Sequence, residues 1–269
     1  VVEPSVSWFI CFAALAILGF CAGHVFGRHS TGRCVAGLIV GFGIMLAWTF
    51  LSRHPAVAVH VVPVRILTYL EGIAGVPVFT FVIGIVHARS ALRRQRRLSH
   101  LALCVGALSF LNGGLWMLQT TPRVGFAETV DDPLVRQSHE FSCVPAACAT
   151  ALNLSGIEAT EAEMARLTRV RPGTGATLVR ALDGLERKLA GTGLKPELID
   201  VSVDELDTLP LPALTPIAVS PTQYHMVVIM GVGETGIKVA DPQNGRMWIA
   251  FSSLGRIYTG HVIVFQSRH

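Results

Sequence analysis

Charge is scarce in these 269 residues: 15% are Asp, Glu, Lys or Arg against 51% apolar, and the mean hydropathy is +0.52. So apolar a balance excludes an ordinary soluble domain, and part of the chain is expected in lipid. Acidic residues are scarcest at the start. Nine arginines and two glutamates precede residue 118, whereas thirteen Lys/Arg and sixteen Asp/Glu follow it. The two halves are read as meeting different solvents.

Other absences narrow the function. No G-x-x-x-x-G-K-[ST] string occurs, which excludes a nucleotide-hydrolysing motor of the phosphate-loop kind; the GTG strings at 173–175 and 191–193 read as turns and helix ends. The second half is net acidic and neither half shows a basic surface interleaved with aromatics, so nucleic acid is not expected as a partner. Four of the six cysteines (Cys11, Cys21, Cys34, Cys104) lie in apolar runs, leaving Cys143 and Cys148, whose spacing on one helix fits a disulfide badly. No H-x-x-x-H pair falls within one apolar run, and neither a metal nor another cofactor is expected.

What is present begins with four apolar runs, at about 7–27, 34–51, 66–87 and 101–118, each long enough for a hydrocarbon layer that needs about 20 helical residues. Residues 1–118 are therefore read as an anchor of four transmembrane helices. The first run lacks a basic leader and is followed by three more, so it is read as a span and not as a cleaved signal. The loop "ARSALRRQRRLSH" carries five arginines and is placed on the cytoplasmic side, which sends both chain termini to the other side. Within the spans, Glu71 reads as an interfacial carboxylate, Asn112 as the other polar residue of note, and Pro77 as a kink in the third helix. Histidines 24, 29, 54, 60, 87 and 100 fall near the boundaries of the runs.

After the turn-rich linker 119–133, residues 134–269 are enough for one domain with its own core. Helical patterns come first: Cys143 to Leu154, then 161–169 behind a capping box of Thr160 and Glu163, then Leu178 to Leu189. Strand patterns follow at 215–220, 225–232, 236–241, 246–251 and 261–265. The fold class is α+β, N-terminal helices and a C-terminal antiparallel sheet, preceded by an all-α membrane bundle.

One cysteine has the surroundings of a nucleophile. Cys143 heads a helix, where the backbone dipole favours a thiolate, and Pro145 suits a first turn that needs no amide proton there. His225 opens an apolar strand and Asp241 closes the next; a hairpin about "GETG" puts those strand ends side by side, so that the carboxylate can hold the imidazole. Gln137, six residues before Cys143, can aim its amide at the same oxyanion as the Cys143 backbone N–H. His139 and His261 are rival bases, and His139 with Cys143 is a rival metal pair.

These residues resemble the C39 peptidases of the papain-like cysteine protease superfamily, best known for removing double-glycine leader peptides from exported bacterial peptides. "QSHEFSCVPAA" resembles that family's Q-x5-C-G-P-A segment, "HMVVIMGV" its H-[FY]-V-V segment, "VADPQNG" its D-P-x-x-G segment and "IYTGHVIVF" its closing W-x-G strand. The resemblance covers about 134–266 and implies a papain-like fold, with Cys143 as nucleophile, His225 as general base and acid, Asp241 as orienting carboxylate and Gln137 as oxyanion donor. Val144 stands where the family has Gly, and Tyr258 where it often has Trp.

With that resemblance, the reading is a membrane-anchored thiol protease of a bacterial inner (plasma) membrane, acting on an exported or membrane-bound polypeptide, of which a double-glycine leader is one form, in association with an export or secretion system. Its catalytic domain is expected outside the cytoplasm. Two alternatives stay open: a hydrolase of peptidoglycan peptides, and a non-catalytic C39-like module that binds substrates.

Overall fold

The computed structural model describes residues 4–125, 133–220 and 223–267, so 126–132 of the expected linker lie outside the described residues. The chain divides into two compact units, Val1–Gln119 and Thr120–His269.

The first unit is helical: α1 Pro4–Phe26, α2 Thr31–Arg53, α3 Pro55–Val61, α4 Val64–Leu70, α5 Gly75–Arg89 and α6 Arg93–Gly114. Its tightest seam joins α1 to α5, which run parallel. Gly19 and Gly23 lie one turn apart on α1, with Gly27 just past its end; a Cβ on Gly19 would lie 2.5 Å from the Pro77 carbonyl oxygen, and one on Gly23 would strike that of Phe81. Small residues let the two backbones approach closely, and that approach supplies the packing along the seam. Thr80 Oγ1 crosses the same seam to donate to the Ala16 carbonyl at 2.7 Å.

Three helices among the described residues are long and apolar enough to cross a membrane, and a fourth stretch is a bent pair. Where the sequence reads one span over 66–87 kinked at Pro77, α4 and α5 meet at 48° across residues 71–74. Gly72 makes the break, with φ +78 and its backbone against Gly113 of α6. Pro77 sits in the first turn of α5, where a missing N–H breaks no helical bond. The arginine-rich loop also differs from expectation, because Arg93, Arg94, Arg96 and Arg97 already belong to α6. Gln95 Oε1 accepts from the Leu92 backbone N–H at 3.3 Å and closes that helix start.

The second unit carries α7 Cys143–Leu154, α8 Glu161–Leu167, α9 Leu178–Lys188, β1 Leu194–Asp200, β2 Ala213–Ser220, β3 Gln223–Gly233, β4 Gly236–Asp241, β5 Gly245–Ala250, α10 Phe251–Ile257 and β6 His261–Ser267. Among the described residues six strands pair antiparallel in the order β1-β6-β2-β3-β4-β5. Helices therefore precede an antiparallel sheet, as the α+β reading has it. β1 escaped sequence notice because Pro196 argues against a strand; it is tolerated at the sheet edge, where only β6 needs pairing.

Val227, Ile229, Ile237, Val239, Val262 and Leu254 form the core on one face of the sheet. α7 lies across β2, β3 and β4. Ala146, Ala147, Ala149 and Ala151 are fully buried, since small side chains let this helix sink into the domain. Thr160 caps α8 by accepting from the Glu163 N–H at 3.1 Å, but the Glu163 carboxylate turns to Lys188 of α9 at 2.8 Å in place of closing a capping box.

Candidate active site

Cys143 is the first residue of α7. The turn before it is closed by Ser142, which is fully buried and whose Oγ accepts from the His139 N–H at 3.0 Å and donates to the His139 carbonyl at 2.8 Å. The incoming segment is tied down twice more. The Gln137 N–H donates to the Pro242 carbonyl at 3.0 Å and the Arg136 guanidinium to that of Gln243 at 2.9 Å. These bonds draw the chain before the cysteine to the turn that follows Asp241.

β3 and β4 deliver the imidazole and the carboxylate. His225 Nε2 and Asp241 Oδ1 are 2.8 Å apart, with both side chains mostly buried. The same imidazole interacts with the Cys143 thiol. Thiol, imidazole and carboxylate thus form one line from the head of α7 to the end of β4. The three residues come from sites up to about a hundred positions apart in the chain, at 143, 225 and 241.

Asp241 is 7% exposed and saturated with donors. Its Oδ1 also accepts from the Gln243 N–H at 2.7 Å, and its Oδ2 from Asn244 Nδ2 at 2.9 Å, the pattern of an Asx turn. Gly245 ends the turn at φ +85, a conformation that costs a side chain strain, with the Arg136 guanidinium packed where a Cβ would be. The Asp-Pro-x-x-Gly string is therefore a device for holding one carboxylate in one orientation.

The electrostatics follow from these contacts. Burial pushes the Cys143 thiol up, but hydrogen bonding to His225 and to the backbone at Met226 and Val144 outweighs it, and the thiol lies below its usual range. Burial pushes His225 down; Cys143 and Asp241 together outweigh that and raise it to about 9. Asp241 is likewise raised by burial and lowered further by His225, Asn244 and the Gln243 N–H, for a net decrease. All three shifts favour a thiolate–imidazolium pair beside an ionised carboxylate, an arrangement that can attack a carbonyl and then protonate the departing group.

Gln137 is partly buried, and its Oε1 is enclosed without a hydrogen-bond partner among the described residues. The rivals are elsewhere: exposed His139 bonds to Ser138 Oγ at 2.9 Å and stacks on Phe141, and His261 Nδ1 meets Asp200 Oδ1 at 2.6 Å across the β1–β6 pair. Val144 is buried, so the side chain replacing glycine fills the core. Cys148 is fully buried and its thiol pushed up by burial. Among the described residues no group of three or more His, Cys, Asp or Glu could hold a metal ion. Sequence reasoning missed Asn244, Ser142 and Arg136; only Asn244, in an Asp-Pro-Gln-Asn-Gly turn, had a local signal.

An uncharacterized protein of Methanothermobacter thermautotrophicus is 32% identical over 137 residues, which are 51% of this chain and 89% of that protein. A second, from Methanothermobacter marburgensis, is 29% identical over 136 residues, again 51% of this chain and 89% of its own length. Among solved structures, the peptidase domain of Streptococcus ComA, a bi-functional ABC transporter involved in a quorum sensing pathway, is 19% identical with a TM-score of 0.45, over 50% of this chain and 97% of that one. A double glycine motif protease from an AMS/PCAT transporter, solved in complex with the leader peptide, is 18% identical with a TM-score of 0.42, over 54% and 99%. The sequence model of the Peptidase C39 family matches residues 131–269, and with that match over half of its length the chain belongs to the peptidase C39 family.

Proposed function

We propose that the chain is a membrane-anchored cysteine endopeptidase that cleaves an exported or membrane-bound polypeptide. The observation that carries this reading is the unbroken line from the Cys143 thiol through His225 to Asp241. The Cys143 thiolate attacks the scissile carbonyl carbon, forming a C–S bond, while Gln137 and the Cys143 backbone N–H receive the oxyanion. Collapse breaks the C–N bond, and the His225 imidazolium gives its proton to the leaving amine. Neutral His225 then takes a proton from water, the hydroxyl attacks the thioester, and departure of the acid restores the thiolate and imidazolium. Asp241 keeps the ring in register throughout and stays ionised.

The helical unit anchors the domain and turns it away from the cytoplasm. Supporting this, Arg28, Arg33, Arg89, Arg93, Arg94, Arg96 and Arg97 lie at one end of the helices, while α6 leaves toward the opposite end, where Gly114 meets Phe9 of α1. Short arginine-rich turns remain on the cytoplasmic side. Association with an export or secretion system would supply the substrate.

The test compares peptides released by cells making the wild type with those from cells making Cys143→Ala. Peptides present only with the wild type, and labelling of Cys143 alone by an electrophilic peptide analogue, are the expected results. Identical peptide sets with no labelling would reduce the domain to a binding module.

A further inference from the structure

The cytoplasmic-end arginines do more than count. Arg89, the last residue of α5, turns its guanidinium inward, donating to the carbonyls of Gly27 at 2.8 Å and of His29. The bonds bring the α1–α2 turn, with Arg28, and the start of α2, with Arg33, against the end of α5, beyond which α6 opens with Arg93, Arg94, Arg96 and Arg97. Seven arginines thereby share one end of the unit. Its described carboxylate, Glu71, caps α4 at the other end of α5.

Beside Arg89 a cavity of about 520 Å³ opens between α2, α5 and α6. Its volume falls within the roughly 300–1,000 Å³ typical of ligand sites. It is layered along the helices. Arg89, Ser90 and Gln95 line the arginine end, whereas Leu38, Ile83 and Ala102, about two helical turns deeper, are apolar. On α6 the lining residues Gln95, Leu98, Ser99 and Ala102 form one stripe, and at 100° per residue Arg94 and Arg96 project to either side of it. Both are exposed.

The geometry points to a site for one anionic phospholipid, its phosphate held by Arg94 and Arg96 beside Gln95 and an acyl chain along Leu38, Ile83 and Ala102. An apolar trough with a cationic mouth matches both parts of such a molecule. A zwitterionic lipid would bring an ammonium against the same arginines, so net negative charge is selected. The inference rests on the membrane reading of the helical unit and is independent of the peptidase chemistry.

The test uses the full chain, extracted and delipidated in neutral detergent and offered equal phosphatidylglycerol and phosphatidylcholine with the same acyl chains. Native mass spectrometry should show one phosphatidylglycerol retained about tenfold over phosphatidylcholine, a preference of about 1.4 kcal/mol. Ala102→Phe fills the trough and leaves every arginine; Arg94→Gln with Arg96→Gln does the reverse. Either change should abolish the preference, while Arg53→Gln with Arg65→Gln at the far end should keep it. Equal retention of the two lipids, or a preference unaltered in helix-retaining Ala102→Phe, overturns the site; should that variant not fold, the double arginine variant decides. Recovery of the chain in the soluble fraction without detergent would overturn the membrane reading itself.

Discussion

His225 and Asp241 meet at 2.8 Å because Met230 does not pair. β3 and β4 join by a tight turn after Gly233↔Gly236 and stay in step to Gly231↔Lys238, but the next pair is Ile229↔Val239, which leaves Met230 over. An unbroken ladder from the same turn would set Asp241 opposite Val228, on the face of the sheet away from His225, because side chains alternate with a period of two. The bulge restores the carboxylate to the side of the imidazole. One extra residue, eleven positions before Asp241, assembles the relay.

Removing the charge of Asp241 tests what that contact does. Asp241→Asn should lower kcat by about 10²- to 10⁴-fold. Because the carboxylate raises His225, the variant's alkaline limb should move to lower pH. A pH profile of cleavage separates this from simple loss of fold, which would lower rates without moving the limb.

The wild-type pH dependence follows in sign from the shifts. The reactive pair needs a deprotonated thiol and a protonated imidazole. Alkylation of Cys143 by iodoacetamide should therefore rise with pH at values below the free-thiol range of about 8.5, since the thiol is lowered. Turnover should fall again as pH passes about 9, where His225 loses its proton.

Gln137 is expected to act after attack. Gln137→Ala should lower kcat by about 10²- to 10³-fold. Iodoacetamide labelling of Cys143 should be nearly unchanged, because the thiolate is set by His225 and not by the amide. Equal loss of both rates would assign Gln137 to positioning the helix head.

Gly245→Ala puts a methyl group at φ +85 and against the Arg136 guanidinium. The conformational penalty alone is about 1–2 kcal/mol. Chemical denaturation of the detergent-solubilised chain should show that loss, and cleavage should fall further than stability, because the turn carrying Gly245 also orients Asp241. Arg136→Ala should relieve part of the effect.

Much of this was legible before the fold was known. Composition and arginine placement marked an apolar first half, and the spacing of polar and apolar residues marked α7 and most of the strands. Cys143, Gln137, His225 and Asp241 could be picked out because each sits where a local rule puts it: a helix head, an incoming loop, a strand start, an Asp-Pro turn. β1 was hidden by Pro196, which edge pairing excuses, and the break at Gly72 was hidden by hydropathy that runs straight across it.

What the amino-acid order determined by itself was therefore the inventory: which side chains are available, and on which kind of element. Only the tertiary structure decided their faces and distances. A hairpin about Glu234 and Thr235 is encoded locally, yet whether it brings His225 to Asp241 depends on Met230 leaving the ladder while Val227, Ile229 and Val239 stay buried in one core. Register is settled by packing summed over a whole face, and no short stretch of chain contains that sum.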